Sequence, residues 1–92
     1  MLTTEQKQVF EKAVEKYGFG PQLNQLQEEC AELIVACNKL RRNGNDAIPL
    51  MIDELADVKI MVEQITQAMN INDEVQKRVE FKIERLKNRL ER

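Results

Sequence analysis

The sequence contains no histidine and no tryptophan, and only two cysteines, three glycines, two prolines and four tyrosine or phenylalanine residues. Without histidine the chain cannot form a His-ligated zinc site, a histidine general base or a Ser-His-Asp triad. It has no apolar run long enough to span a membrane, and its 42% apolar content is too high for a disordered chain. Any chemistry must therefore come from carboxylates, amines, amides or thiols.

The chain is small and close to neutral. Its 92 residues carry 14 basic and 16 acidic side chains, a formal net charge of −2, and we interpret residues 1–92 as one domain. So short a chain builds a small core, and domains of this size gain stability from disulfides, metals or association. The sequence thus favours a homo-oligomer.

The two cysteines do not supply a disulfide. Cys30 and Cys37 lie seven residues apart in one predicted helix, a rise of about 10.5 Å, which exceeds the reach of a bridge. We expect both thiols to be buried on an apolar stripe. The N-terminal residues carry no basic segment followed by an apolar core, so we predict a cytoplasmic protein with no membrane association.

Two helices are predicted in the first half. Thr3 and Gln6 have the spacing of a capping box, and apolar residues recur at helical intervals as far as about Tyr17. The segment 18–21, Gly-Phe-Gly-Pro, then ends the first helix. Apolar residues alternate at steps of three and four over 21–42, which predicts an amphipathic second helix.

Two further helices are predicted in the second half. Asp46 is the expected N-cap of the third helix, and Pro49 lies in its tolerant first turn. Asn70-Ile71-Asn72-Asp73 interrupts the apolar pattern, and Asp73 with Gln76 forms a second cap pair before the last helix. Four helices joined by short turns predict an all-α fold with antiparallel neighbours, packed as a bundle or as paired helical hairpins, and we take a four-helix antiparallel bundle-like domain as the expected fold.

Four carboxylates occupy matching places on the two central helices. On a helical wheel, Glu29 and Glu32 lie at about −100° and −160° from the centre of their apolar stripe, and Glu54 and Asp57 lie at the same two angles on the next helix. If the helices pack antiparallel, both pairs meet around one small volume. An all-oxygen cluster suits a hard cation, and Mg²⁺ is the leading candidate, with Mn²⁺ as a substitute and Ca²⁺ possible.

A purely structural alternative exists for these acids. Acidic residues often flank the apolar seam of a coiled coil and pair there with Lys or Arg of a neighbouring helix. From Gln25 to Asp57, however, there are seven acids and only three basic residues, Lys39, Arg41 and Arg42, which lie together near one helix end. Few local partners are therefore available.

The last helix carries a basic ribbon beside its apolar stripe, consisting of Arg78, Lys82, Arg85 and Arg89, between about −60° and −120° on the wheel. The ribbon can hold the phosphates of a ligand whose remaining oxygens bind a metal. Pairing with glutamates of a neighbouring helix or simple exposure to solvent explains it equally well. The negative net charge and the scarcity of aromatics argue against nucleic-acid binding.

Two motifs together resemble a known family. Glu28-Glu29-Cys30-Ala31-Glu32, followed after 21 residues by Glu54-Leu55-Ala56-Asp57, is similar to the Glu-Glu-x-x-Glu and Glu-x-x-Asp signature of the MazG-like all-α nucleoside triphosphate pyrophosphohydrolases. The small single-domain form of bacteria and phages is the most similar. The likeness extends from about Tyr17 to the end and includes Gln22-Leu23 and Phe81-Lys82-x-x-Arg85-Leu86-Lys87.

The resemblance implies an activity and a site. It implies magnesium-dependent hydrolysis of a nucleoside triphosphate between the α and β phosphates. It also implies a homodimer or homotetramer, with sites assembled between helices and sometimes between subunits. The implied metal ligands and catalytic residues are Glu29, Glu32, Glu54 and Asp57, with Glu28 as a supporting acid and Lys82 and Arg85 as phosphate-binding residues. The residues alone leave a second class open, a non-enzymatic helical oligomerisation or regulatory module. The base and sugar of the substrate stay unassigned.

Overall fold

The computed structural model describes residues 2–92, and over this range the chain is helical with no β-strand. The prediction of an all-α fold is confirmed. A short 3₁₀ helix, Gly44–Ala47, links the second and third of four α-helices. The α-helices are α1 (Thr4–Tyr17), α2 (Phe19–Asn43), α3 (Ile48–Ala68) and α4 (Asn72–Leu90).

The ends of α1 follow the sequence pattern. The Thr3 side chain accepts a hydrogen bond from the Gln6 backbone N–H at 3.0 Å, and the Gln6 side chain accepts one from the Thr3 N–H at 2.9 Å, so the predicted capping box is present. Gly18 has φ +92°, a backbone conformation that residues other than glycine rarely adopt, and its N–H donates to the Val14 carbonyl. This residue ends α1 and lets α2 begin at once.

Two predicted caps are wrong. Asp46 lies inside the 3₁₀ helix, and α3 begins after Ala47, which makes no side-chain cap. The 3₁₀ helix carries the chain directly into α3, so no extended residue is left to act as a cap. Likewise α4 begins after Ile71 without a side-chain cap, and Asp73 lies within its first turn, where a carboxylate interacts favourably with the helix dipole.

Helices α2 and α3 form an antiparallel hairpin, and α1 packs against both. The buried side chains are few and come from each of these helices and the 3₁₀ helix: Phe10, Gln22, Ala36, Ala47, Met61, Gln64 and Ile65. Ala36 has no exposed surface, which marks a close approach of the helix backbones. No large side chain among the described residues is fully buried, so one chain holds only a small core.

The hairpin does not pack through the centres of its predicted apolar stripes. The half-buried and buried positions of α2, such as Gln22, Leu26 and Leu33, lie at about −40° to −100° on its wheel, on the side that carries Glu29. The centre of the stripe remains exposed. The prediction that Cys30 and Cys37 are buried is therefore wrong: both thiols are free and exposed.

Helix α4 differs from the others because none of its residues is buried, and it contacts only α3. The Cα radius of gyration is 15.9 Å, against about 12 Å for a compact domain of this length. The chain is therefore less compact than a typical domain of its length, because α4 contacts only α3. Over residues 2–92, every helix is too short or too polar to cross a bilayer.

Candidate metal centre

The α2–α3 hairpin brings the four predicted carboxylates together. One carboxylate oxygen from each of Glu29, Glu32, Glu54 and Asp57 lies within 4.8 Å of the other three. Oxygen ligands on opposite sides of an octahedral Mg²⁺ are about 4 Å apart, so the four oxygens already span nearly the right volume for one ion. The clustering follows from the antiparallel register, which sets each i,i+3 pair opposite the other.

Two carboxylate oxygens in the cluster are orphaned. Glu29 Oε2 and Glu54 Oε2 are buried from solvent and have no hydrogen-bond partner. Leaving a buried acceptor unpaired costs free energy, and the cost is larger for a charged group. Both Glu29 and Glu54 are half-buried, whereas Glu32 and Asp57 are exposed. The two inner oxygens thus fit the ligands of a cation, and the two outer residues leave an open side towards solvent.

The electrostatics of the cluster are visible at Glu29. Its Oε1 accepts a hydrogen bond from Gln25 Nε2 at 2.8 Å, and this bond is the largest single influence and lowers the pKa of Glu29. Desolvation and the negative charges of Glu32 and Asp57 act the other way and together raise the pKa of Glu29 above its ordinary value. The cluster is therefore short of positive charge.

A pair of amides lies at the same interface, two helical turns from the acids. Gln64 Nε2 donates a hydrogen bond to Gln22 Oε1, and both side chains are buried. Seven residues separate Gln22 from Glu29 and seven separate Asp57 from Gln64, so the amide pair and the acid pairs share one register. Sequence reasoning missed this contact, although both glutamines recur at the heptad spacing of the acids.

The other predicted site residues lie elsewhere. Glu28 is exposed on α2 and is not among the four clustered acids. Lys82 and Arg85 are exposed on α4, whose only contacts within the chain are with α3. On the same ribbon, the Arg78 guanidinium lies 4.8 Å from the centroid of the Phe81 ring. One chain therefore assembles the acidic half of the predicted site without the basic half.

Comparison of the sequence and the fold with protein-family models, curated proteins and solved structures found no match. The geometry of the cluster and the motifs of the sequence are thus the grounds for a functional assignment.

Proposed function

We propose that the chain is a magnesium-dependent nucleoside triphosphate pyrophosphohydrolase of the MazG-like kind. The observation that carries the proposal is the group of four carboxylates within 4.8 Å, two of which have a buried oxygen without a partner. The spacing of these same residues is the basis of the resemblance. An acidic cluster with one open side is suited to hold a cation between the protein and a polyphosphate.

The assigned roles follow from exposure and position. The half-buried Glu29 and Glu54 and the exposed Glu32 and Asp57 would together hold Mg²⁺. Mn²⁺ is the expected substitute because it accepts the same oxygen ligands. When bound, the ion supplies positive charge to the phosphate oxygens and makes water a better nucleophile. Glu28 supports the cluster from outside it.

The reaction is the hydrolysis of one phosphoanhydride bond. Water forms a bond to the α-phosphorus, the bond from that phosphorus to the α–β bridging oxygen breaks, and the products are a nucleoside monophosphate and pyrophosphate. The chain's own acids position the reactants and accept a proton, while Lys82 and Arg85 bind phosphate oxygens. No covalent intermediate is required.

The assembly belongs to the proposal. Eighteen large apolar side chains are at least partly exposed, including the centres of the α2 and α3 stripes and the whole stripe of α4. So many exposed apolar groups favour association. We infer a homodimer or homotetramer in which copies complete a four-helix bundle, located in the cytoplasm, where free thiols are stable.

The exposed apolar surface also favours a second candidate, a non-enzymatic helical oligomerisation or regulatory module. Such a module needs neither Mg²⁺ nor a carboxylate at each of the four positions. The two candidates therefore differ in whether the cluster must be acidic.

A pyrophosphate-release assay separates them. We expect the wild-type protein to release pyrophosphate from at least one of the eight common nucleoside triphosphates, only when Mg²⁺ or Mn²⁺ is present. Glu54→Gln should lower the rate by about a hundredfold or more, because the amide keeps the shape of the side chain and removes its charge. Asp53→Asn, a neutralisation of the neighbouring exposed acid, should leave the rate unchanged. Equal rates in the two variants would refute the metal role of Glu54.

A further inference from the structure

A cavity of about 300 Å³ lies between α1 and α3, outside the carboxylate cluster. Its walls include Phe10, Glu11 and Glu15 from α1 and Gln64 and Gln67 from α3. Its volume is at the lower end of the range for small-molecule sites, and an apolar wall with a few polar groups is typical of such sites. The cavity is therefore large enough for one small heterocyclic ring, and the roles assigned so far leave it unused.

The polar groups of the cavity are acceptors of hydrogen bonds. Gln64 Nε2 donates to Gln22 Oε1, and Gln67 Nε2 donates to a backbone carbonyl of α1 at 2.8 Å, so each of the two lining amides keeps its own Oε1 as an acceptor. The carboxylates of Glu11 and Glu15 accept and, when ionised, do not donate. Among residues 2–92, no lysine or arginine lines the cavity. The cavity thus suits a ligand that donates hydrogen bonds.

Glu11 and Glu15 form a pair of acceptors at a defined spacing. They lie four residues apart on α1, both are exposed, and their Cβ atoms are therefore about 5–6 Å apart on one side of the helix. Like charges at this spacing repel each other and destabilise a helix. An amino group with two N–H groups can donate one to each carboxylate, so such a ligand relieves the repulsion.

The cavity lies in line with the carboxylate cluster along α3. Asp57 and Gln64 are at about −160° and 180° on the α3 wheel, and the helical rise between them is about 10.5 Å. Ile60, which is 47% exposed, lies beside this strip between the two residues. The separation is comparable to the length of a nucleotide from its 5′ phosphorus to the far edge of its base. A nucleotide with its phosphates at the cluster therefore reaches the cavity with its base.

We propose that this cavity binds the base of the nucleotide and selects bases with an exocyclic amine, cytosine first, over uracil and thymine. The inference rests on the function proposed above. Cytosine carries an amine at position 4, where uracil carries a carbonyl. Beside Glu11 and Glu15 the amine donates two hydrogen bonds, whereas the carbonyl oxygen meets only acceptors and loses its hydration. The same two carboxylates repel phosphate, so the triphosphate lies at the metal cluster and not in the cavity.

Cytidine and uridine triphosphates are a matched pair of substrates for the test. We expect kcat/KM for pyrophosphate release to be at least about tenfold higher with the cytidine nucleotide. Glu11→Gln and Glu15→Gln should each bring this ratio towards one, because an amide offers a donor to the uracil carbonyl. Glu5→Gln makes the same change on α1 outside the cavity and should leave the ratio unchanged. The affinity for Mg²⁺ should be the same in all three variants, since the cluster keeps its acids.

Nuclear magnetic resonance of ¹⁵N-labelled protein supplies a measurement that needs no turnover. With Mg²⁺ present, cytidine monophosphate should shift the side-chain amide signals of Gln64 and Gln67, and uridine monophosphate should shift them much less. Glu5→Gln should retain these shifts and Glu11→Gln should reduce them.

The outcomes separate this inference from the proposed function. Pyrophosphate release at equal kcat/KM from the two triphosphates, or amide signals that do not move with cytidine monophosphate, would overturn the selection of the base by this cavity and leave the hydrolytic function standing. Selective shifts with cytidine monophosphate in a protein that releases no pyrophosphate would refute the hydrolytic function and support the cavity as the site of the base.

Discussion

The α2–α3 hairpin and helix α4 have similar amphipathic sequences but very different surroundings. In the hairpin, the helices meet through the edge that carries glutamines and carboxylates, and Gln22, Gln64 and Ile65 become buried. In α4, every residue stays exposed although its apolar stripe is regular. An amphipathic pattern therefore specifies that a helix has a partner, while the contacts of a single chain need not supply that partner.

This difference separates two parts of the proposed site. The hairpin sets the positions of the four acids by its register, so the acidic half is complete in one chain. The position of the basic half, on α4, depends instead on what α4 packs against. Perturbing each region should therefore change different properties of the protein.

The largest effect expected in this comparison is a loss of turnover caused by substitutions in α4. Replacing Lys82 or Arg85 by Ala removes a charge-assisted contact worth about 1.5 to 3 kcal/mol, so kcat/KM should fall by about ten- to a hundredfold. Binding of Mg²⁺ should persist because the hairpin holds the acids. Steady-state kinetics and calorimetry check the two statements.

Two variants provide the controls for this prediction. Lys77→Ala changes a basic residue on the other side of α4 and should leave kcat/KM unchanged, and Arg89→Ala, near the end of the ribbon, should have a small effect. Unchanged kinetics in both Lys82→Ala and Arg85→Ala would show that the basic ribbon is exposed to solvent and does not bind the substrate.

A smaller effect, on stability, is expected within the hairpin. Gln64→Ala leaves the buried Gln22 Oε1 without its donor and should lower the free energy of unfolding by about 1 to 3 kcal/mol. Replacing both Gln22 and Gln64 by Leu removes the polar groups together and should cost less than Gln64→Ala. Urea denaturation measures each value, with exposed Gln27→Ala as the control. A Gln64→Ala protein as stable as Gln27→Ala would show that the amide pair does not fix the hairpin.

The smallest effect is a pH dependence of the metal-free protein. Because the pKa of Glu29 is raised in the folded state, the folded chain binds a proton more tightly than the unfolded chain does. This contribution to stability is fully present below the ordinary glutamate pKa and is lost as the pH rises through the raised pKa of Glu29. Denaturation at several pH values measures this loss: the stability of the wild type minus that of Glu29→Gln should fall as the pH rises through this window. A constant difference would contradict the raised pKa.

Much of the local structure was predictable because it depends on neighbours in the chain. Thr3 and Gln6 form the capping box, Gly18 separates two helices, and the wheel positions of Glu29 and Asp57 correctly placed them in one cluster. The prediction of Asp46 as an N-cap was wrong because a 3₁₀ helix occupies the place of the expected turn. The spacing of residues in the sequence does not distinguish a turn from a 3₁₀ helix.

The exposure of Cys30 was not predictable from periodicity. The apolar pattern gives the direction of a stripe, but α2 and α3 pack about a quarter turn away from its centre, along the edge with Ala36 and Gln22. The pairing of Gln22 with Gln64 depends on this rotation. Small Ala36, which permits close approach of the backbones, was the available signal in the sequence.

The central claim is that Glu29, Glu32, Glu54 and Asp57 act together as a magnesium site, and titration calorimetry with Mg²⁺ tests it most directly. We expect the wild-type protein and Asp53→Asn to bind Mg²⁺ with the same affinity, and Glu32→Gln to bind at least about tenfold more weakly while its circular dichroism spectrum stays helical. Equal affinity in the wild type and a folded Glu32→Gln protein, or no binding of Mg²⁺ by the wild type, would contradict the account.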